Sequence, residues 1–178
     1  MWTYLENYFN LKKSFVFYGA YHSEWRNQFV HVVFVPLIFS SALSFAARLE
    51  ITPTLNASHI VAVFYAASFI VMEPIAGALY APLIAGMQYL GQHFFYDHVP
   101  LAIGVHLFGW AVQIFGHAFL ERRKPAFMED PFQAIHSAVF FVWLEVLYML
   151  GYRPSEKKKL DELIKQRIAT MEAEGAAK

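Results

Sequence analysis

Residues 29–47 read FVHVVFVPLIFSSALSFAA, Phe29 through Ala47, nineteen positions without one Asp, Glu, Lys or Arg. A helix needs about 20 apolar residues to cross the hydrocarbon of a bilayer. This stretch meets that length, and Arg48-Leu49-Glu50 stops it before a polar turn marked by Pro53, Asn56 and Ser58. A chain that opens on such a segment predicts an all-α, multi-pass transmembrane helical bundle, and the rest is read against that expectation.

Outward from it, residues 60–72 are apolar and end in Glu73-Pro74, and residues 75–91 follow with Gly77, Pro82 and Gly86 inside them. These are either two tight spans or one broken or re-entrant hairpin, which a membrane protein tolerates where protein or a cavity covers the freed backbone. The polar patch of residues 92–98 (Gln92 to His98) precedes residues 99–120, the clearest remaining span, which exits into Glu121-Arg122-Arg123-Lys124-Pro125. Asp130-Pro131 reads as an N-cap with proline at the first helical position, opening a helix over residues 132–150 with one acid, Glu145. Residues 1–21 suit an interfacial helix or arm, and do not read as a cleavable signal. Residues 1–154 therefore form the membrane domain. From Ser155 the pattern changes: Leu160, Leu163, Ile164, Ile168 and Met171 recur at helical spacing among charges, an amphipathic C-terminal helix in a tail of residues 155–178.

Composition agrees. Only 16% of the 178 residues are charged against 57% hydrophobic, whereas soluble domains run near a quarter charged. The formal net charge of zero gives no electrostatic reason to recruit nucleic acid. There is no Cys, so His, Asp and Glu are the strong metal ligands left.

Positive charge collects at Lys12-Lys13-Arg26, at Arg122-Arg123-Lys124 and at Lys157-Lys158-Lys159. The positive-inside rule asks for all three on one side, yet a simple count of five spans puts the last outside. The conflict lifts if the final hydrophobic segment, or the region 60–91, is something other than full crossings.

Eight histidines stand in this chain, several in or beside apolar segments. The plain reading of such a residue is hydrogen-bonded glue between helices. His106, Trp110, Gln113, His117 and Glu121 fall on one helical stripe that must face protein. His117 and Glu121 are ~6 Å apart along the axis and could share a metal, whereas His106 and His117 are ~16 Å apart, too far for one ion on a straight helix. Gly109 and Gly116 would permit a bend. His22 and His31 flank Asn27, and converge only if the polar run from Ser23 to Asn27 turns the chain. His93 and Asp97 form an i,i+4 pair with His98 beside it, either a second ligand group or a capped loop. Glu73 is an acid in apolar sequence, a candidate by default. His59 reads as a loop residue and His136 as packing glue. Histidine boxes of membrane di-iron enzymes, HExxH and GxSxG are all missing from the sequence.

Tyr21-His22, Asn27 and His31 running into Phe34-Val35-Pro36, with Gly109-Trp110, Gln113, Gly116-His117 and Glu121 continuing to Gln133, resemble the fungal and bacterial family of 2-hydroxy fatty acid dioxygenases. The resemblance spans residues 17–151. It implies a membrane oxygenase dependent on Fe(II), Fe(2+) as cofactor, which consumes O₂ and shortens 2-hydroxy fatty acids by one carbon. Its histidines carried onto this chain are His22, His31 and His117 as iron-site candidates, with His106 next among the catalytic residues; Glu121, by its spacing from His117, is the further metal candidate. Asn27, Trp110 and Gln113 are then supporting or substrate-facing, and Arg26, Arg122, Arg123 or Lys124 would receive the substrate carboxylate. The resemblance places the chain across a bacterial inner membrane or an endoplasmic reticulum membrane, and names no protein partner. The competing expectation is a non-catalytic membrane scaffold whose His and Glu stripe is a structural seam.

Overall fold

The structure is a computed structural model that describes residue 6, residues 8–122 and residues 125–175. Among these residues there are seven α-helices and one two-stranded ladder, so the chain is all-α in class. The helices are α1 (Leu11–Tyr21), α2 (Trp25–Ala46), α3 (Ala57–Met72), α4 (Pro74–Leu90), α5 (Val99–Phe115), α6 (Pro131–Met149) and α7 (Pro154–Ala173). The strands β1 (Glu50–Thr52) and β2 (Leu55–Asn56) pair antiparallel in the polar turn after α2.

Capping sets most of the boundaries. Asn10 accepts a 3.0 Å bond from the Lys13 amide and opens α1. Asp130 accepts from the Gln133 amide at 2.9 Å with Pro131 behind it, so the Asp-Pro pair starts α6 as its sequence predicts. Glu73 stops α3 and starts α4: its backbone is extended, and its carboxylate accepts from the Ala76 amide. His59 is no loop residue. It lies in the first turn of α3 and closes a reciprocal cap with Asn56.

The chain divides into two compact units, residues 1–32 with 113–178, and residues 33–112. In the second unit, α3 and α4 form a close antiparallel pair at Gly77. A Cβ there would fall 2.5 Å from the Phe69 carbonyl oxygen, so only glycine admits the approach. Outward faces of this unit remain apolar, with Ile60, Val63, Val71, Leu79 and Leu107 exposed. Among the described residues, three helical stretches are long and apolar enough to cross a membrane: Trp25–Ala46, Val99–Glu121 and Pro131–Met149. That is compatible with a membrane protein.

In the first unit, α7 buries Leu160, Ile164 and Met171. Ile164 packs on Gly19 of α1, where a Cβ would meet its Cδ1 at 2.4 Å, and Met171 joins Ala20, Tyr21 and Ala126. The amphipathic stripe seen in the sequence thus has a partner within its own chain.

Candidate metal centre

His22 is the residue that ends α1, and Ser23 and Glu24 turn the chain into α2. The polar run therefore supplies the turn that convergence of His22 and His31 requires. His31 sits two turns into α2. His117 comes from a π-helical segment, Gly116–Glu121, that continues α5 with wider turns.

These three imidazoles meet. Their ring centroids lie 4.4 Å apart for His22 and His31, 4.7 Å for His22 and His117, and 5.0 Å for His31 and His117. Each ring stands steeply to the others, at 76–83°, which turns nitrogens rather than stacked faces toward the middle. All three are buried, and one ligand nitrogen from each lies within 4.8 Å of the others. Two metal–nitrogen bonds of about 2.1 Å span a comparable distance.

Backbone carbonyls orient two of the rings. His22 Nδ1 is 2.9 Å from the Tyr18 carbonyl, and His31 Nδ1 is 2.9 Å from the Asn27 carbonyl. A carbonyl only accepts, so both Nδ1 atoms carry the proton and both Nε2 lone pairs stay open. His117 Nδ1 is buried without a hydrogen-bond partner among the described residues. Burial, reinforced by His31 and His117 nearby, holds His22 well below the usual histidine range, hence neutral and able to bind a metal. Three buried imidazoles, two of them held by backbone carbonyls, are the donor set a borderline metal such as iron or zinc takes.

Glu121 lies elsewhere in this arrangement. Its Oε1 accepts from the Glu24 amide at 2.7 Å and from Asn27 Nδ2 at 3.4 Å, and its Oε2 accepts from Ser23 Oγ at 3.2 Å. It therefore clamps the turn between His22 and α2, at a helix N-terminus where a carboxylate is favoured. Asn27 is buried against Gly116, where a Cβ would fall 2.3 Å from its Oδ1. Glycine at 116 lets the π segment approach α2 closely enough to bring His117 in.

The remaining candidates separate. His106 is in the second unit with both nitrogens engaged: Nε2 accepts from Trp110 at 3.2 Å, and Nδ1 lies 3.0 Å from Ser41 Oγ. Trp110 is thus tied to His106. Gln113 is buried in the first unit, with no hydrogen-bond partner for Nε2 among the described residues. Arg26 is exposed and pairs with Glu24 at 2.8 Å, and Arg122 is exposed in a left-handed conformation just after Glu121. Arg123 and Lys124 lie outside the described residues. His93 packs on Tyr89, while His98 bonds the Phe94 carbonyl at 2.8 Å. His136 has its ring 5.2 Å from that of Tyr8 and 6.3 Å from that of Phe132, and Glu73 is the cap described above.

Sequence reasoning passed over Tyr18, whose ring stacks on His22 at 3.9 Å, and Gln28, whose Nε2 donates to the His22 carbonyl at 2.7 Å. It also left Glu145 without a role, although this buried acid lies 3.5 Å from Gln28 Nε2 and 3.9 Å from Lys157 Nζ. A lone acid in an apolar helix was the available signal.

The profile of one family, described as 2-hydroxy-palmitic acid dioxygenase Mpo1-like, matches residues 8–150. The 2-hydroxy-palmitic acid dioxygenase MPO1 of Saccharomyces cerevisiae is 30% identical over 177 residues, covering 94% of this chain and 98% of that protein. No solved structure matches. With its histidines brought together in the matched region, the chain belongs to the Mpo1-like family.

Proposed function

We propose that this protein is an Fe(II)-dependent dioxygenase that converts 2-hydroxy long-chain fatty acids to acids one carbon shorter, as a multi-pass membrane protein. Kinship with a 2-hydroxy-palmitic acid dioxygenase supports a role in 2-hydroxy fatty acid metabolism. The observation that carries the finer reading is the buried trio His22, His31 and His117, each offering one ligand nitrogen within 4.8 Å of the others.

The balance is RCH(OH)COOH + O₂ → RCOOH + CO₂ + H₂O. The carboxyl carbon leaves as CO₂, the carbinol carbon becomes the new carboxyl, and O₂ takes up four electrons. Bound by these histidines, iron would supply open positions for the hydroxyl and carboxylate oxygens and a redox partner for O₂. The chain's own groups do the rest. The Tyr18 and Asn27 carbonyls hold His22 and His31 with lone pairs inward, and Glu121 keeps the turn between them closed. Arg26 and Arg122 draw the anionic end of the substrate to this end of the molecule. Gln113, whose buried Nε2 has no hydrogen-bond partner among the described residues, is the donor we assign to substrate. His106 and Trp110 support the second unit by their mutual bond.

The test is purified protein in detergent with Fe(II), air and 2-hydroxypalmitic acid, with products read by mass spectrometry. The fifteen-carbon acid is expected, dependent on O₂ and absent with His22→Ala or His117→Ala. Folded, iron-loaded protein that yields no shortened acid at any chain length would exclude the reaction.

A further inference from the structure

We infer that Asn27 is a positioning residue for two of the three histidines. Its backbone carbonyl holds His31, and its side-chain Oδ1 is the acceptor for the Nδ1–H of His117 when that ring binds a metal through Nε2. This deepens the reading of the trio as a metal centre and rests on it.

The starting observation is that three similar rings are held differently. His22 and His31 each bond the carbonyl four residues back, that of Tyr18 and that of Asn27, both at 2.9 Å. His117 belongs to the π-helical turns of Gly116–Glu121, and its Nδ1 is buried with no hydrogen-bond partner among the described residues. A neutral imidazole that gives one nitrogen to a metal carries its proton on the other. An Nδ1–H in this buried place therefore needs an acceptor, as histidine ligands generally have.

The same unit holds an acceptor with the complementary need. Asn27 is fully buried, and its Oδ1 has no hydrogen-bond partner among the described residues. The amide is fixed in orientation, because Nδ2 lies 3.4 Å from Glu121 Oε1 and an ionised carboxylate only accepts. Oδ1 is thereby turned to Gly116, where the Cβ of any other residue would overlap it. Gly116 immediately precedes His117 in the chain. An unmatched donor position and an unmatched acceptor thus occur at consecutive residues of one π turn, and a single bond satisfies both.

With that bond made, all three rings carry the proton on Nδ1 and offer Nε2, so one tautomer serves the whole trio. Asn27 then acts through three of its own groups: the carbonyl on His31, Oδ1 on His117, and Nδ2 on the carboxylate that clamps the preceding turn. A residue placed in this way couples the start of α2 to the π segment at the level of the metal ligands.

Cobalt(II) is the probe, since it takes imidazole ligands as iron does and moves the proton resonances of bound rings away from the rest of the spectrum. Wild-type protein loaded with Co(II) in detergent should show three shifted resonances that disappear in D₂O, one N–H per bound histidine. Asn27→Leu, similar in volume and without polar side-chain atoms, should lose one of them to rapid exchange with water. Its Co(II) affinity should fall about 10- to 100-fold. Asn27→Asp keeps an acceptor oxygen and gives up the N–H toward Glu121, so all three resonances should persist. That variant carries the test if the leucine variant does not fold. Gln113→Leu should also keep all three. Three resonances in folded Asn27→Leu, or two in Asn27→Asp, overturn the inference, and loss of one in Gln113→Leu overturns it by making Gln113 the acceptor. Wild-type protein that binds Co(II) but shows two slowly exchanging N–H resonances refutes the inference alone. Wild-type protein that binds no Co(II) removes the metal centre beneath it.

Discussion

Glu121 shows how a residue's spacing and its contacts can point to different jobs. Four residues after His117, it shares that residue's face in a regular helix. The π-helical turn and three donors from Ser23, Glu24 and Asn27 hold its carboxylate at the start of α2 instead. Glu121→Gln keeps the shape and loses the charge, so iron affinity should fall about 10-fold, as for other groups that orient ligands. Titration of the apoprotein checks this; a loss as large as that of His117→Ala would make Glu121 itself a ligand. His22 yields a pH prediction. Burial first, then its histidine neighbours, depress its folded value well below 6.5, so near pH 6 the unfolded chain takes up a proton that the native site refuses. Stability supplied by the neutral site is present above about pH 6.5 and is lost as pH falls below it. Melting temperatures of apoprotein in detergent should drop between pH 7 and pH 5, and His22→Gln should flatten that slope.

Among the elements, the helix boundaries and the π segment do the positioning. Asp130-Pro131 starts α6 and Glu73-Pro74 breaks α3 from α4, and both follow from capping chemistry readable along the chain. The π turn over Gly116–Glu121 is not readable in this way, because its wider spacing answers to Asn27 packed against Gly116. Gly77→Ala would push a Cβ into the Phe69 backbone, which cannot give as a side chain end does. We expect a loss of about 1–3 kcal/mol in unfolding free energy. Iron stoichiometry should not change, since Gly77 and the three histidines lie in different units. Thermal unfolding and metal analysis of the same sample read both effects.

For the whole molecule, α7 is a structural member of the first unit. Removing residues 154–178 uncovers the stripe of α1 that Ile164 and Met171 occupy, and strips Glu145 of Lys157. The truncated chain should aggregate in detergent and lose bound iron, as size-exclusion profiles and metal analysis would show. The sequence by itself determined the helical class, the apolar segments, the amphipathic tail and the identity of the histidines, because hydropathy, periodicity and residue chemistry are local properties. What covers each helix was decided only in three dimensions: α6 is apolar enough for lipid, yet Phe140, Phe141 and Leu144 in its middle are fully buried and Phe15 of α1 packs on Phe141. Convergence of His22, His31 and His117, and the diversion of Glu121, also belong to tertiary structure. They depend on a turn, a π segment and a glycine contact that bring residues nearly a hundred positions apart within hydrogen-bonding reach.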